Sequence, residues 1–129
     1  MKWYFEPVTV MIIVLVGMLF ASSIVKAEES WTSADTNREL VYASFHVMDW
    51  AQTRNISRNP DKWYETNALL GRHPSTDKVD LYFLLTWVGH YLVADNLSPR
   101  NRKLFQNVTI LLEAGYVTHN LSLGVNIKF

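Results

Sequence analysis

His46 and Asp49 stand three residues apart, and His90 and Glu113 follow later in the chain. Two imidazoles and two carboxylates are ligand types for zinc, manganese or iron, and helical bundles build such sites between facing helices. The usual two-metal signature, Glu-x-x-His on each of two helices, is missing. The competing expectation is a set of buried hydrogen bonds that fixes helix register. Other chemistry is harder to place. With no cysteine there is no thiolate metal site, thiol nucleophile or disulfide. No serine lies in a nucleophile-elbow sequence, and the five glycines are too scattered for a phosphate loop. We therefore expect a non-enzymatic protein without a cofactor. A metal-binding protein or enzyme using His46, Asp49, His90 and Glu113 is the alternative.

Three main helices must position these residues. Cap chemistry at Thr32-Ser33-Ala34-Asp35 precedes a helical run from roughly Asn37 to Arg54. Arg58-Asn59-Pro60-Asp61 breaks the chain, and a short helix is expected from Asp61 to Leu70, with Trp63 and Tyr64 packed inward. A turn at Gly71 to Ser75 leads to the second helix, Asp77 to Ala94. Ser98 and Pro99 then form a cap and first-turn pair for a third helix to about Leu123, which Gly124 ends. The tail, Val125 to Phe129, alternates and reads as a short strand or a frayed end. The class is all-α: an N-terminal signal or anchor helix, then a small bundle of three main helices plus a short one.

The main helices share a pattern. Tyr42, His46, Asp49 and Thr53 recur at steps of four, three and four, hence on one face. Tyr82, Thr86 and His90 repeat at four, beside Gly89. Gln106, Thr109, Glu113, Tyr116 and Asn120 alternate three and four. Almost everything around these stripes is apolar, which inverts the proportions of an ordinary surface helix. Two arrangements follow. The helices lie in lipid with the stripes turned into the bundle, where ionisable groups are paired. Or they pack in water with apolar faces buried and the stripes exposed. Leu81 to Ala94 is short for a span of about 20 residues. On the embedded reading, Glu113 pairs with His90 or His46, and Gly89 and Gly115 allow close helix approach.

Residues Val8 to Val25 form a run of eighteen positions without a charge, followed by Lys26-Ala27-Glu28-Glu29. This fits a secretory leader cut after Ala27, or a permanent anchor. The expected division is residues 1–27 as leader or anchor and 28–129 as one helical domain. Lys and Arg total 12, and so do Asp and Glu. The zero formal charge offers no field for a nucleic-acid partner. Trp31 and Trp50, near helix ends, suit an interfacial position. The location expected is a bacterial inner membrane, or the periplasm if the leader is removed.

The loop between the first two helices carries Glu65, Asn67, Arg72, His73 and Ser75. Caps and ion pairs explain these residue types, with Glu65 and Arg72 pairing to neighbours such as Asp49 or Gln52. A site for a headgroup or peptide is the other reading. The segments Asp49-Trp50-Ala51-Gln52-Thr53, Tyr64-Glu65-Thr66-Asn67 through Leu70-Gly71-Arg72-His73-Pro74-Ser75, Val79-Asp80-Leu81-Tyr82-Phe83 and Glu113-Ala114-Gly115 carry a resemblance. From about Asp49 to Gly124 the chain resembles a family of small bacterial and phage envelope proteins without an established activity. Ala68 stands where that family usually has proline. The resemblance implies an envelope location and transfers no catalytic residue. The expected partner is membrane lipid or another envelope protein, met by the polar set His46, Asp49, Thr53, Glu65, Asn67, Arg72, His73, His90 and Glu113.

Overall fold

The computed structural model describes residues 30–129. The apolar leader, and the expected boundary after Ala27, lie outside them. Within the described residues the chain is all-helical, with α1 (Ser33–Arg58), α2 (Thr76–Asn96) and α3 (Pro99–Ser122). Helix α1 is the central element and packs against both others, whereas α2 and α3 touch each other sparingly.

Local chemistry sets each boundary. Thr32 and Asp35 form a capping box that starts α1 earlier than the apolar periodicity alone predicts. The Thr32 side chain accepts from the Asp35 amide, and the Asp35 carboxylate accepts from the Thr32 amide. Pro60 disfavours helix at Asn59, whose side-chain amide donates back to the Asn55 carbonyl. Ser75 caps α2 by accepting from Lys78 N–H. At the other end of α2 the Arg102 guanidinium donates to the carbonyls of Ala94 and Leu97, serving a terminus that lacks intrahelical donors. Ser98 holds the N-cap position of α3 without a side-chain cap bond, and Pro99 supplies the first turn. After α3, Gly124 takes φ +82°, and the Val125 amide returns to the Asn120 carbonyl.

Several expectations are corrected. Residues 61–70 form turns instead of a short helix. The Glu65 carboxylate accepts from the Thr66 and Asn67 amides, and the Asn67 side chain accepts from Leu69 N–H. These local bonds compete with helical ones. Tyr64 is exposed and Trp63 only partly buried. The tail is not a strand; Val125 is buried and its carbonyl receives Gln52. Gly89 and Gly115 allow no close approach, because a Cβ at either would meet nothing within 4 Å.

Two small apolar clusters are formed, and Ala51, Ile56, Val117 and Val125 are buried outside them. Leu70, Val79 and Phe83 pack with Trp50 and Tyr82 near the start of α2, and Ala94, Leu97 and Phe105 pack with Trp31 and Val93 near its end. Between them the bundle interior carries many polar side chains. The buried set includes Tyr42, His46, Gln52, Thr53, His90, Gln106 and Thr109. Large apolar side chains instead face outward, among them Leu111 at 73 % exposure, Leu40 at 62 % and Leu85 at 61 %. The stripes point in and the apolar faces point out.

Candidate functional site

Two histidine centres occupy the polar interior, and each draws on all three helices. In the first, His46 of α1 faces Glu113 of α3, with Nδ1 to Oε1 at 2.8 Å. The same ring places Nε2 at 3.0 Å from the Phe83 carbonyl of α2 and 3.3 Å from the Thr86 hydroxyl. In the second, His90 of α2 sets Nδ1 at 2.9 Å from the Glu39 carboxylate of α1 and Nε2 at 2.8 Å from the Thr109 hydroxyl of α3. Thr109 spends its own proton on the Phe105 carbonyl at 2.9 Å. Each imidazole therefore lies between a carboxylate and an acceptor.

Tyr42 links the centres by stacking. Its ring lies 3.5 Å from His90, nearly parallel at 7°, and 5.3 Å from His46. Phe105 covers the far side of His90 at 4.5 Å. The stack puts aromatic surface against the imidazoles.

Polar contacts continue from both centres. Beyond His90, the second Glu39 oxygen accepts from the Gln106 amide at 3.0 Å, and Gln106 in turn accepts from Arg38 at 3.0 Å. Arg38 is paired with Asp35. Burial alone would raise the Asp35 carboxyl, but Thr32's backbone and side-chain bonds and the Arg38 and Arg102 charges outweigh it and hold the group below its ordinary range. Beyond His46 the arrangement is looser. Glu113 Oε2 and the Tyr116 hydroxyl are buried and without hydrogen-bond partners. Asp49 lies within electrostatic reach of Glu113 and Glu65 and accepts from Asn120 at 3.1 Å. Gln52 donates to the carbonyls of Val117 and Val125, and Asn55 donates to that of Asn126, so the tail is tied to α1.

Both ends of α2 carry a similar rim. Asp80 accepts from the Trp50 indole at 2.7 Å, and the Arg54 guanidinium lies 5.1 Å over that ring. Asp95 accepts from the Trp31 indole at 2.8 Å, with Arg102 5.1 Å over it.

The candidate residues from the sequence thus fall into separate places. His46, Asp49 and Glu113 share one region, whereas His90 belongs to the second centre with Glu39. Among the described residues no three His, Asp or Glu groups are arranged to hold a metal ion. Thr53 is buried in α1. Glu65 and Asn67 are engaged in loop bonds, and Asn67 also pairs with the Tyr82 hydroxyl. Arg72 does not pair with Asp49 or Gln52; it lies over the Tyr64 ring at 4.6 Å. His73 lines a surface hollow beside it. Sequence reasoning missed Glu39, Asp35 and Arg102. Continuing the stripe backward from Tyr42 by three and then four reaches Glu39 and Asp35, and four back from Gln106 reaches Arg102.

No protein-family model matches the chain, and neither a curated protein nor a solved structure matches it.

Proposed function

We propose that this is a non-enzymatic membrane protein that sits in lipid and acts by binding lipid or an envelope partner. The observation that carries the reading is the inverted bundle, with paired histidines and carboxylates inside and leucines outside. In water this arrangement exposes apolar surface and buries polar groups, both unfavourable. In lipid both terms change sign in effect, because the outer face meets hydrocarbon and the inner stripes satisfy each other.

The two tryptophan rims support the same reading. Indole rings with the N–H directed to a polar group suit the border of a bilayer. Asp80 and Asp95, which receive them, are fifteen residues apart on α2, or about 22 Å at helical rise. That is short of the ~30 Å hydrocarbon layer, which suits a bundle in a locally thinned bilayer. Among the described residues no helix is long and apolar enough to cross a membrane, since each carries its polar stripe. Insertion therefore rests on the assembled bundle. The uncharged run from Val8 to Val25 supports a membrane location, which we assign to a bacterial inner membrane. Alkaline carbonate extraction of a membrane fraction tests the proposal: the chain is expected to stay with the pellet, and complete release would overturn it.

A further inference from the structure

The connection between α1 and α2 carries two cations that lie over aromatic rings. Arg72 lies 4.6 Å from the Tyr64 ring centroid, and the Lys62 ammonium lies 5.1 Å from that of Trp63. Neither belongs to an ion pair among the described residues. A ring face occupies one side of a guanidinium and leaves its in-plane N–H donors open. The nearby Glu65 is turned to the Thr66 and Asn67 amides and does not neutralise them.

These groups border an open hollow of about 350 Å³, which Pro60, Asp61 and His73 also line. The volume lies within the range of small-ligand sites. Asp61 is the one carboxylate in the lining against Lys62 and Arg72, so the hollow is net positive. Its position is equally informative. The loop closes on α2 through the Lys78 ammonium, which donates to the Leu70 carbonyl at 2.8 Å. That is the end of the bundle bearing the Trp50–Asp80 rim, and Leu69 in the same loop and Leu81 in the second turn of α2 are exposed. Cations and aromatic rings in the hollow, with exposed leucines in the same loop and on α2, are the complement of a charged headgroup with its chains.

We propose that this hollow binds the phosphate group of an anionic lipid, with Arg72 and Lys62 as donors and the acyl chains along the outer face of α2. Arg72 supplies a fork matched to phosphate oxygens, and Lys62 supplies a compact charge. The inference rests on the lipid-facing reading above and names the lipid class that reading leaves open.

The full chain in neutral detergent micelles is titrated with short-chain phosphatidylglycerol, following Trp63 emission as the difference between parent and Trp63→Phe. A saturable change is expected. Arg72→Gln and Lys62→Gln should each weaken it by about tenfold, the size of one charge-assisted hydrogen bond. Arg100→Gln, an exposed cation at the opposite end, should leave it unchanged. Circular dichroism confirms that the variants fold. Absence of saturation, or equal weakening by Arg100→Gln, would overturn the proposal. An equal response to inorganic phosphate would keep an anion site and overturn its assignment to lipid. The titration needs no bilayer, so a negative result leaves the carbonate outcome standing. Release by carbonate with intact saturation would instead remove the membrane reading and retain the hollow.

Discussion

Around His90 both oxygens of the carboxylate partner are used, one by the imidazole and one by Gln106. Around His46 the partner Glu113 uses one oxygen and leaves the other buried without a hydrogen bond, as is the hydroxyl of Tyr116 three residues on. The plan is otherwise the same, an imidazole between a carboxylate on one neighbouring helix and an acceptor on another. An orphaned buried oxygen costs about 1–3 kcal/mol. The His90 centre is thus a fastening in which protein groups use both carboxylate oxygens, and the His46 centre one in which they use a single oxygen.

The comparison can be broken most forcefully at His90. His90→Leu takes the imidazole from one Glu39 oxygen and from the Thr109 hydroxyl, and removing one partner of a buried pair costs on the order of 3–5 kcal/mol. Unfolding in detergent should show a loss of that size; a loss below about 1 kcal/mol would mean that the pair does not hold the helices. Glu113→Leu should cost less, on the order of 1–3 kcal/mol, because one carboxylate oxygen already lacks a partner. Glu113→Gln keeps a hydrogen bond to His46 and should be milder than Leu. Indistinguishable midpoints for the two would end the buried-pair interpretation of His46.

The sequence encodes the levels of this structure unequally. The polar stripes were legible because side chains three or four apart share a helix face whatever surrounds them. Which way they faced was not, since spacing alone cannot distinguish a wet exterior stripe from a buried one. Pairing was half legible. His46 does meet Glu113, but His90 meets Glu39, because the relative height of facing helices depends on packing and leaves no trace in one helix's periodicity. The expected helix at residues 61–70 failed for a local reason. Glu65 and Asn67 bond their own backbone amides, a competition that helical propensity understates. The loop itself divided: Asn67 and Ser75 perform the capping that their residue types suggest, while Arg72 is left over aromatic surface.

Smaller effects sharpen the contrast. Asp35 lies at the end of the His90 network with its carboxyl held below the ordinary range. A lowered folded value means that its stabilisation is complete above about pH 4 and is lost as pH falls through the lowered value. The difference in stability between parent and Asp35→Asn should be about 1 kcal/mol at neutral pH and should close on further acidification below pH about 4. A gap that stays constant across that range would contradict the assignment. Tyr116→Phe, at the incomplete centre, removes a hydroxyl that has no partner. It should leave the midpoint unchanged or raise it, by up to about 1 kcal/mol. A loss of more than about 1 kcal/mol would show that the hydroxyl is satisfied and the two centres are alike.

On the membrane reading proposed above, the polar side of the helices is inside because lipid takes the outside. Trp87 tests this most directly, being 43 % exposed on the outer face of α2 midway between the Asp80 and Asp95 rims. The chain is reconstituted in phosphatidylcholine brominated either deep in the acyl chains or near the headgroup, and Trp87's emission is isolated as the difference between parent and Trp87→Phe. Stronger quenching of Trp87 by the deep bromines, with protection from aqueous iodide, is the expected result. Quenching by iodide together with indifference to both brominated lipids would contradict it.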